Sequence, residues 1–307
     1  MRICFNRTPV SGPWGGGNNF VVNMSNHLRE QGHEVVYSLI RNVDIIFMID
    51  PRPSQYGFSI VDIFNYKNKF PEVKIIHRIN ECDKRKGTDL MDNSLLRSNL
   101  IADKTVFISN WLAEYFIEKG FNREYDVIYN GCNADIFYPL KNKKLEKPLK
   151  LVTHHWSDNW MKGFDIYVEI DKFLKNNKEF EFSYIGRYNQ RYTPAFTKVV
   201  EPLHGDELGN ELRKHDIYVT ASRWEPCGMH HIEGAASGMP TLFHEQGGGI
   251  NELCREHGYG FNNFESFLEK LSLLRENYFE IRKKINYENI DITNCCKKYY
   301  RLMRSLK

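Results

Sequence analysis

Apolar runs of strand length recur along the first half of the chain, at 2–6, 34–39, 43–49, 73–77, 105–108 and 126–129. Between them the spacing changes to that of a helix. Phe20, Val21, Met24 and Leu28 fall on one helical face, and Gly32 is placed to end that helix. Ser109 can cap a helix over 111–119, which Gly120 closes. Strands that are continuously apolar and separated by helices predict a parallel sheet covered on both faces. The alternation restarts near residue 149. Strands are predicted at 149–153, 180–185, 216–220 and 241–244, with helices at 165–173, 207–214 and 231–237. Phe264, Phe267, Leu268, Leu271 and Leu274 form a further helical stripe. Cys295, Tyr299, Met303 and Leu306 share one face of a last helix over 291–306.

Between the two series lies a lysine- and proline-rich stretch, 139–150, which reads as a polar linker able to act as a hinge. The expected organisation is therefore a first domain over 1–140, a second over 141–290, and a terminal helix over 291–307 that either packs on its own domain or returns to the first. The fold class is α/β, with two Rossmann-like domains whose parallel sheets face an interdomain cleft. Ligands of such sheets sit beyond the carboxyl ends of the strands, and closure of the two domains on a ligand is expected. With 42 Lys and Arg against 39 Asp and Glu in 307 residues, the net charge is only +3. That is too mild for a nucleic-acid partner, but it suits anionic small molecules and allows peripheral contact with anionic lipid. No apolar run approaches the roughly 20 residues of a membrane span. Seven cysteines without a CxxC pair read as free thiols in a reducing, cytoplasmic setting.

Three segments carry candidate chemistry. Gly15, Gly16 and Gly17 follow a strand and open a helix, where backbone amides can approach an anion; a plain tight turn is the other reading. The spacing is not GxGxxG, which argues against a dinucleotide enzyme. His77 ends an apolar strand, and serves either at a site or as a satisfied structural histidine. Lys162 precedes Gly163 at a helix entrance and can neutralise a phosphate, or simply lie on the surface. The richest segment runs from Ser222 through Glu225 and Glu233 to Pro240. Its two glutamates can accept sugar and ribose hydroxyls, while the amides of Cys227, Gly228, Met229 and His230 lie at a helix start that favours a diphosphate. Cys227, His230, His231, Cys254 and His257 lack the spacing of paired zinc half-sites, so no metal is expected. No GxSxG elbow is present.

Glu225-x7-Glu233 with Gly228 inside it, Gly247-Gly248-Gly249-x2-Glu252, Lys162-Gly163-Phe164-Asp165 and the stretch from Val127 to Pro139 occur in an order that resembles the retaining GT-B glycosyltransferases of family GT4. The resemblance implies a nucleoside-diphosphate-sugar donor, UDP- or GDP-linked. It also implies a glycan, lipid-linked or protein-linked acceptor, retained anomeric configuration, and neither cofactor nor metal. By it, Glu225 would hold the donor sugar, Glu233 the ribose, Lys162 the diphosphate and His77 the sugar near the reacting centre. The arginine that the family places before its lysine is replaced by the region of His155, Trp156 and Ser157, so His155 would share in binding phosphate. The leaving phosphate would take the acceptor proton in a front-face displacement. A sugar-nucleotide epimerase or hydrolase of the same fold, and a non-catalytic nucleotide-sugar binder, are the alternative readings.

Overall fold

The computed structural model describes residues 1–10, 12 and 15–306. Ser11, Pro13 and Trp14 of the glycine-loop segment, and Lys307 of the terminal one, lie outside the described residues. The chain divides into two compact units, Met1–Asn130 with Ile292–Lys307, and Gly131–Asp291.

In the first unit the strands are β1 Arg2–Phe5, β2 Glu34–Val36, β3 Ile45–Met48, β4 Lys74–Ile79, β5 Lys104–Phe107 and β6 Tyr125–Val127. They form one sheet in the order β2-β1-β3-β4-β5-β6, every described pairing parallel. Its helices are α1 Gly16–Glu30, α2 Ile60–Lys69, α3 Asp83–Lys86, α4 Met91–Asn99 and α5 Asn110–Glu118. The second unit contains β7 Leu149–His155, β8 Phe180–Gly186, β9 Lys198–Val200, β10 Ile217–Thr220, β11 Thr241–His244 and β12 Gly258–Phe261, in the order β12-β11-β10-β7-β8-β9, again parallel. Its helices are α6 Phe164–Leu174, α7 Gly205–Leu212, α8 Met229–Ala236, α9 Ile250–Cys254, α10 Phe264–Glu276 and α11 Tyr278–Arg282.

Strand order reverses between β1 and β3 in one sheet and between β7 and β10 in the other. At such switch points the loops diverge to opposite faces and leave a crevice at the carboxyl edge. The last helix, α12 Ile292–Ser305, lies in the first unit. Cys295, Cys296, Tyr299 and Met303 are buried in the same core as Ile3, Phe5 and Phe20, with the Tyr299 and Phe20 rings 4.8 Å apart.

Two expectations about organisation change. The unit boundary falls at 130/131 instead of 140, because residues 131–140 are bound to the second unit. The Cys132 amide donates to the Ile290 carbonyl, Arg213 holds the Ile136 carbonyl at 2.6 Å, and Arg282 holds that of Leu140 at 2.7 Å. The lysine-rich stretch is likewise no free hinge. Lys143 pairs with the nearly buried Asp216 at 2.7 Å and also donates to the His215 carbonyl.

All seven cysteines are free and buried. Buried neutral histidines make the fold acid-sensitive. Burial pushes His77 and His231 down to about 3, and His215 and His257 to about 4. An unfolded chain accepts protons near pH 6.5 that the folded chain refuses. Their contribution is therefore full above about pH 7 and is lost as pH falls toward 4, at about 1.4 kcal/mol per pH unit for each ring. Urea midpoints should drop steadily from pH 7.5 to 5, and a flat midpoint would show that these rings are charged in the fold.

Candidate active site

The second unit assembles its site at the β7/β10 switch point. After β7 the chain makes a short 3-10 turn, Trp160–Lys162, capped by the Asn159 side chain on the Met161 amide at 2.9 Å. Gly163 then begins α6 with φ +93°, and a Cβ there would lie 2.2 Å from the Ala221 Cβ. Both the backbone angle and the contact require glycine. The turn is thus pressed against the loop that follows β10.

Further bonds join the two loops. The Arg223 amide donates to the Met161 carbonyl at 2.9 Å, and its guanidinium grips Asp165 in α6 with two bonds of 2.8 and 2.6 Å. Burial alone would raise the Asp165 carboxyl, but Arg223 holds it below the usual range. The Glu225 segment is also tied to the glycine loop after β11. Trp224 donates to the Gln246 carbonyl at 2.8 Å and Glu225 to that of Gly247 at 3.0 Å. Trp224 takes the left-handed conformation, φ +52°, which is unusual for a bulky side chain and turns the backbone immediately before Glu225.

This scaffold brings Lys162 and Glu225 together. The Lys162 ammonium donates to Glu225 Oε2, with only 10% and 7% of the two side chains exposed. Beyond them α8 starts at Gly228 with no side-chain cap, so the first-turn amides from Met229 onward are not taken up by a capping group. Glu233 lies in the second turn of this helix, where its Oε2 meets His154 Nε2 at 2.8 Å. An ammonium, two carboxylates and an uncapped helix start therefore share the carboxyl edge of one sheet. Such a set can neutralise an anion and accept hydroxyl protons.

Other expected site residues take different places. His77 is not at a strand end. β4 runs on through Arg78 to Ile79, and His77 is fully buried within it, its Nδ1 bonded to the Asn99 amide at 3.0 Å. It is enclosed in the sheet, and its Nε2 has no hydrogen-bond partner among the described residues. Asn80 is the side chain that leaves this strand, beside Gly17. His155 turns its ring inward, with Nε2 2.9 Å from the Tyr167 hydroxyl, so that nitrogen is not offered to a phosphate. The His230 ring is also internal, 2.9 Å from the Thr220 hydroxyl. Burial, with Lys162 and the neighbouring histidines, holds it well below its usual pKa and therefore neutral. Cys227 is buried, so at 227 and 230 only the backbone remains for a ligand. Arg223 was not singled out by the sequence pattern. Neither was Tyr218, whose partner His154 lies 64 residues away in the chain.

Among the described residues, no group of three or more His, Cys, Asp and Glu side chains is placed to hold a metal ion. Gly16 and Gly17 belong to the first unit, where they border a cavity of about 420 Å³ at the β1/β3 switch point. Asp50, Arg52, Tyr56 and Asn80 also line it. Burial alone would raise the Asp50 carboxyl, but Arg52, bound through two bonds of 2.9 and 2.6 Å, keeps it low and charged. Among the described residues, no helix is long and apolar enough to cross a membrane.

Known proteins of similar sequence and fold exist. Residues 152–277, within the second unit, match the family model of Glycosyl transferases group 1. A probable sucrose-phosphate synthase of Thermosipho melanesiensis is 24% identical over 197 residues, 58% of this chain and 46% of that protein. An uncharacterized glycosyltransferase of Methanocaldococcus jannaschii is 25% identical over 209 residues, 61% of this chain and 56% of that one. The chain thus spans about half the length of the curated relatives it matches. Among solved structures, Anabaena HepE in complex with UDP and glucose superimposes with a TM-score of 0.74 at 14% identity, covering 99% of this chain and 100% of that one. The fold is that of the two-domain GT-B glycosyltransferases.

Proposed function

We propose that this chain transfers a sugar from a UDP- or GDP-linked donor to an acceptor hydroxyl, with retention at the anomeric carbon and without a metal ion or other cofactor. The observation that carries this reading is the joining of Lys162, Glu225 and the uncapped start of α8 at one switch point. Breaking the bond between sugar and diphosphate leaves new negative charge on the diphosphate. Lys162 and the first-turn amides of α8, fixed before the reaction begins, stabilise that charge. Glu225 accepts hydroxyls of the transferred sugar, and Glu233 those of the ribose. The backbone of Cys227, Gly228, Met229 and His230 lines the diphosphate. His77 and the rings of His155 and His230 take no direct part.

The cavity of the first unit, with Gly16, Gly17 and Asn80 on its wall, receives the acceptor. Its volume suits a sugar-sized group, whether free, lipid-linked or protein-linked. Retention follows in this reading from a front-face displacement in which the departing phosphate takes the acceptor proton. Glu225 is already committed to Lys162, which fits a binding group better than a nucleophile.

Thermal unfolding with a panel of nucleotide sugars, in EDTA, tests the proposal. A bound donor at 100 times its Kd stabilises the fold by about 2.7 kcal/mol, and the same donor should then support transfer in EDTA. A donor that shifts nothing without Mg²⁺ or Mn²⁺ would refute the metal-free reading. An isomerised donor in the absence of acceptor would point to an epimerase.

A further inference from the structure

We infer that His154, held by Tyr218, is the positioning residue that aims Glu233 at the ribose of the nucleotide. The inference rests on the donor reading above and extends it to two residues with no role there.

The hydrogen bonds define the arrangement. An ionised carboxylate only accepts, so the 2.8 Å contact between Glu233 Oε2 and His154 Nε2 requires the proton on Nε2. A neutral imidazole in that tautomer accepts at Nδ1, where the Tyr218 hydroxyl stands at 3.1 Å and donates. The same hydroxyl accepts the His154 backbone amide at 3.2 Å, so the ring and its own backbone are fixed to one oxygen. Tyr218 is wholly buried in β10 and His154 is buried at the end of β7. The carboxylate is therefore bound to the sheet through two rigid rings, not to a mobile surface group. Oε2 is occupied, while Oε1 has no hydrogen bond among the described residues. One oxygen is anchored and the other remains for a ligand.

Gly234 makes this approach possible. A Cβ at that position would stand 2.3 Å from Cδ2 of Tyr218, so α8 lies directly on the tyrosine ring only because residue 234 has no side chain. That close approach carries the adjacent Glu233 to His154. No phosphate function for His154 is needed to explain its burial or its bonds.

The test compares UDP with 2′-deoxy-UDP, and GDP with 2′-deoxy-GDP, by calorimetry. The wild type should bind one ribonucleotide at least about tenfold more tightly than its deoxy form, the scale of a hydrogen bond to a charged group. In His154→Phe that ratio should fall close to one, with affinity for the deoxy form little changed. In His154→Gln, whose amide nitrogen replaces Nε2 as donor, the ratio should be largely retained. If His154→Phe gives no cooperative melting transition, Tyr218→Phe, which removes a single hydroxyl, should narrow the ratio in the same direction. A wild-type ratio in whichever of the two variants folds would overturn the role of His154. Wild-type protein that binds neither ribonucleotide would overturn the donor reading itself, and this role with it.

Discussion

Lys162→Ala is expected to lower turnover by roughly 100-fold or more, the usual scale of losing one preorganised partner of developing charge. The lysine is nearly buried, so its field is weakly screened, and it is delivered by a turn that Gly163 and the Arg223–Asp165 pair hold against the β10 loop. The substitution has a second consequence. It leaves Glu225 in a buried position without its cation, and breaking one side of a buried pair commonly costs about 3–5 kcal/mol of stability. Turnover and stability can be separated with the double variant Lys162→Met, Glu225→Gln. Removing both charges should restore much of the unfolding free energy without restoring turnover. If the double variant regains activity along with stability, the lysine serves the fold and not the leaving group. If Lys162→Ala retains wild-type turnover, another cation holds the diphosphate.

Much of this site could be read from the residues, because each of its parts is a local pattern, although Lys162 and Glu225 lie 63 residues apart. Lys162-Gly163 and Glu225-x7-Glu233 are local patterns, and the strand–turn–helix context that places them follows from the apolar runs around them. The central strands were equally legible, since a strand buried on both faces is continuously apolar, as in Ile45–Met48 and Ile217–Thr220. The two edge strands of the second sheet were not. Lys198–Val200 is short and partly exposed, and Gly258–Phe261 has two glycines in four residues, so neither shows the apolar run. α2 was missed because Val61 and Phe64 on its exposed side blur the helical stripe.

His77 illustrates a different failure. In the sequence the apolar run of β4 ends there because Arg78 is charged. In the fold Arg78 is buried, its guanidinium 4.2 Å from the centre of the Phe20 ring and bonded to Asn130 at 2.7 Å. The strand therefore continues by two residues, and the side chain at its end is Asn80. Lys143 misled in the same way: lysine suggests solvent, but this one pairs with Asp216. The bonds from Arg223 to Asp165 and from Tyr218 to His154 span 58 and 64 residues, and no local pattern announces them.

The most discriminating expectation concerns Glu225. Glu225→Gln should tighten binding of the free nucleoside diphosphate while slowing transfer. Glu225 and an incoming diphosphate compete for the same ammonium, and both are negative. In a site shielded from water, removing one unit of negative charge several ångströms from the phosphates is worth roughly 1–3 kcal/mol at an effective dielectric near 20. Affinity for UDP or GDP alone should thus rise by about tenfold. The sugar donor responds oppositely in turnover. A neutral amide accepts sugar hydroxyls more weakly than a carboxylate does, so transfer should fall by about 100-fold, the scale of one lost charge-assisted contact at the reacting group. A residue that merely supports the loop would weaken both measurements together. Calorimetry with the diphosphate, beside steady-state transfer with the full donor, separates the two. If Glu225→Gln binds the free diphosphate no better than the wild type, the carboxylate is not a competitor for Lys162, and its assignment to the sugar hydroxyls loses its basis.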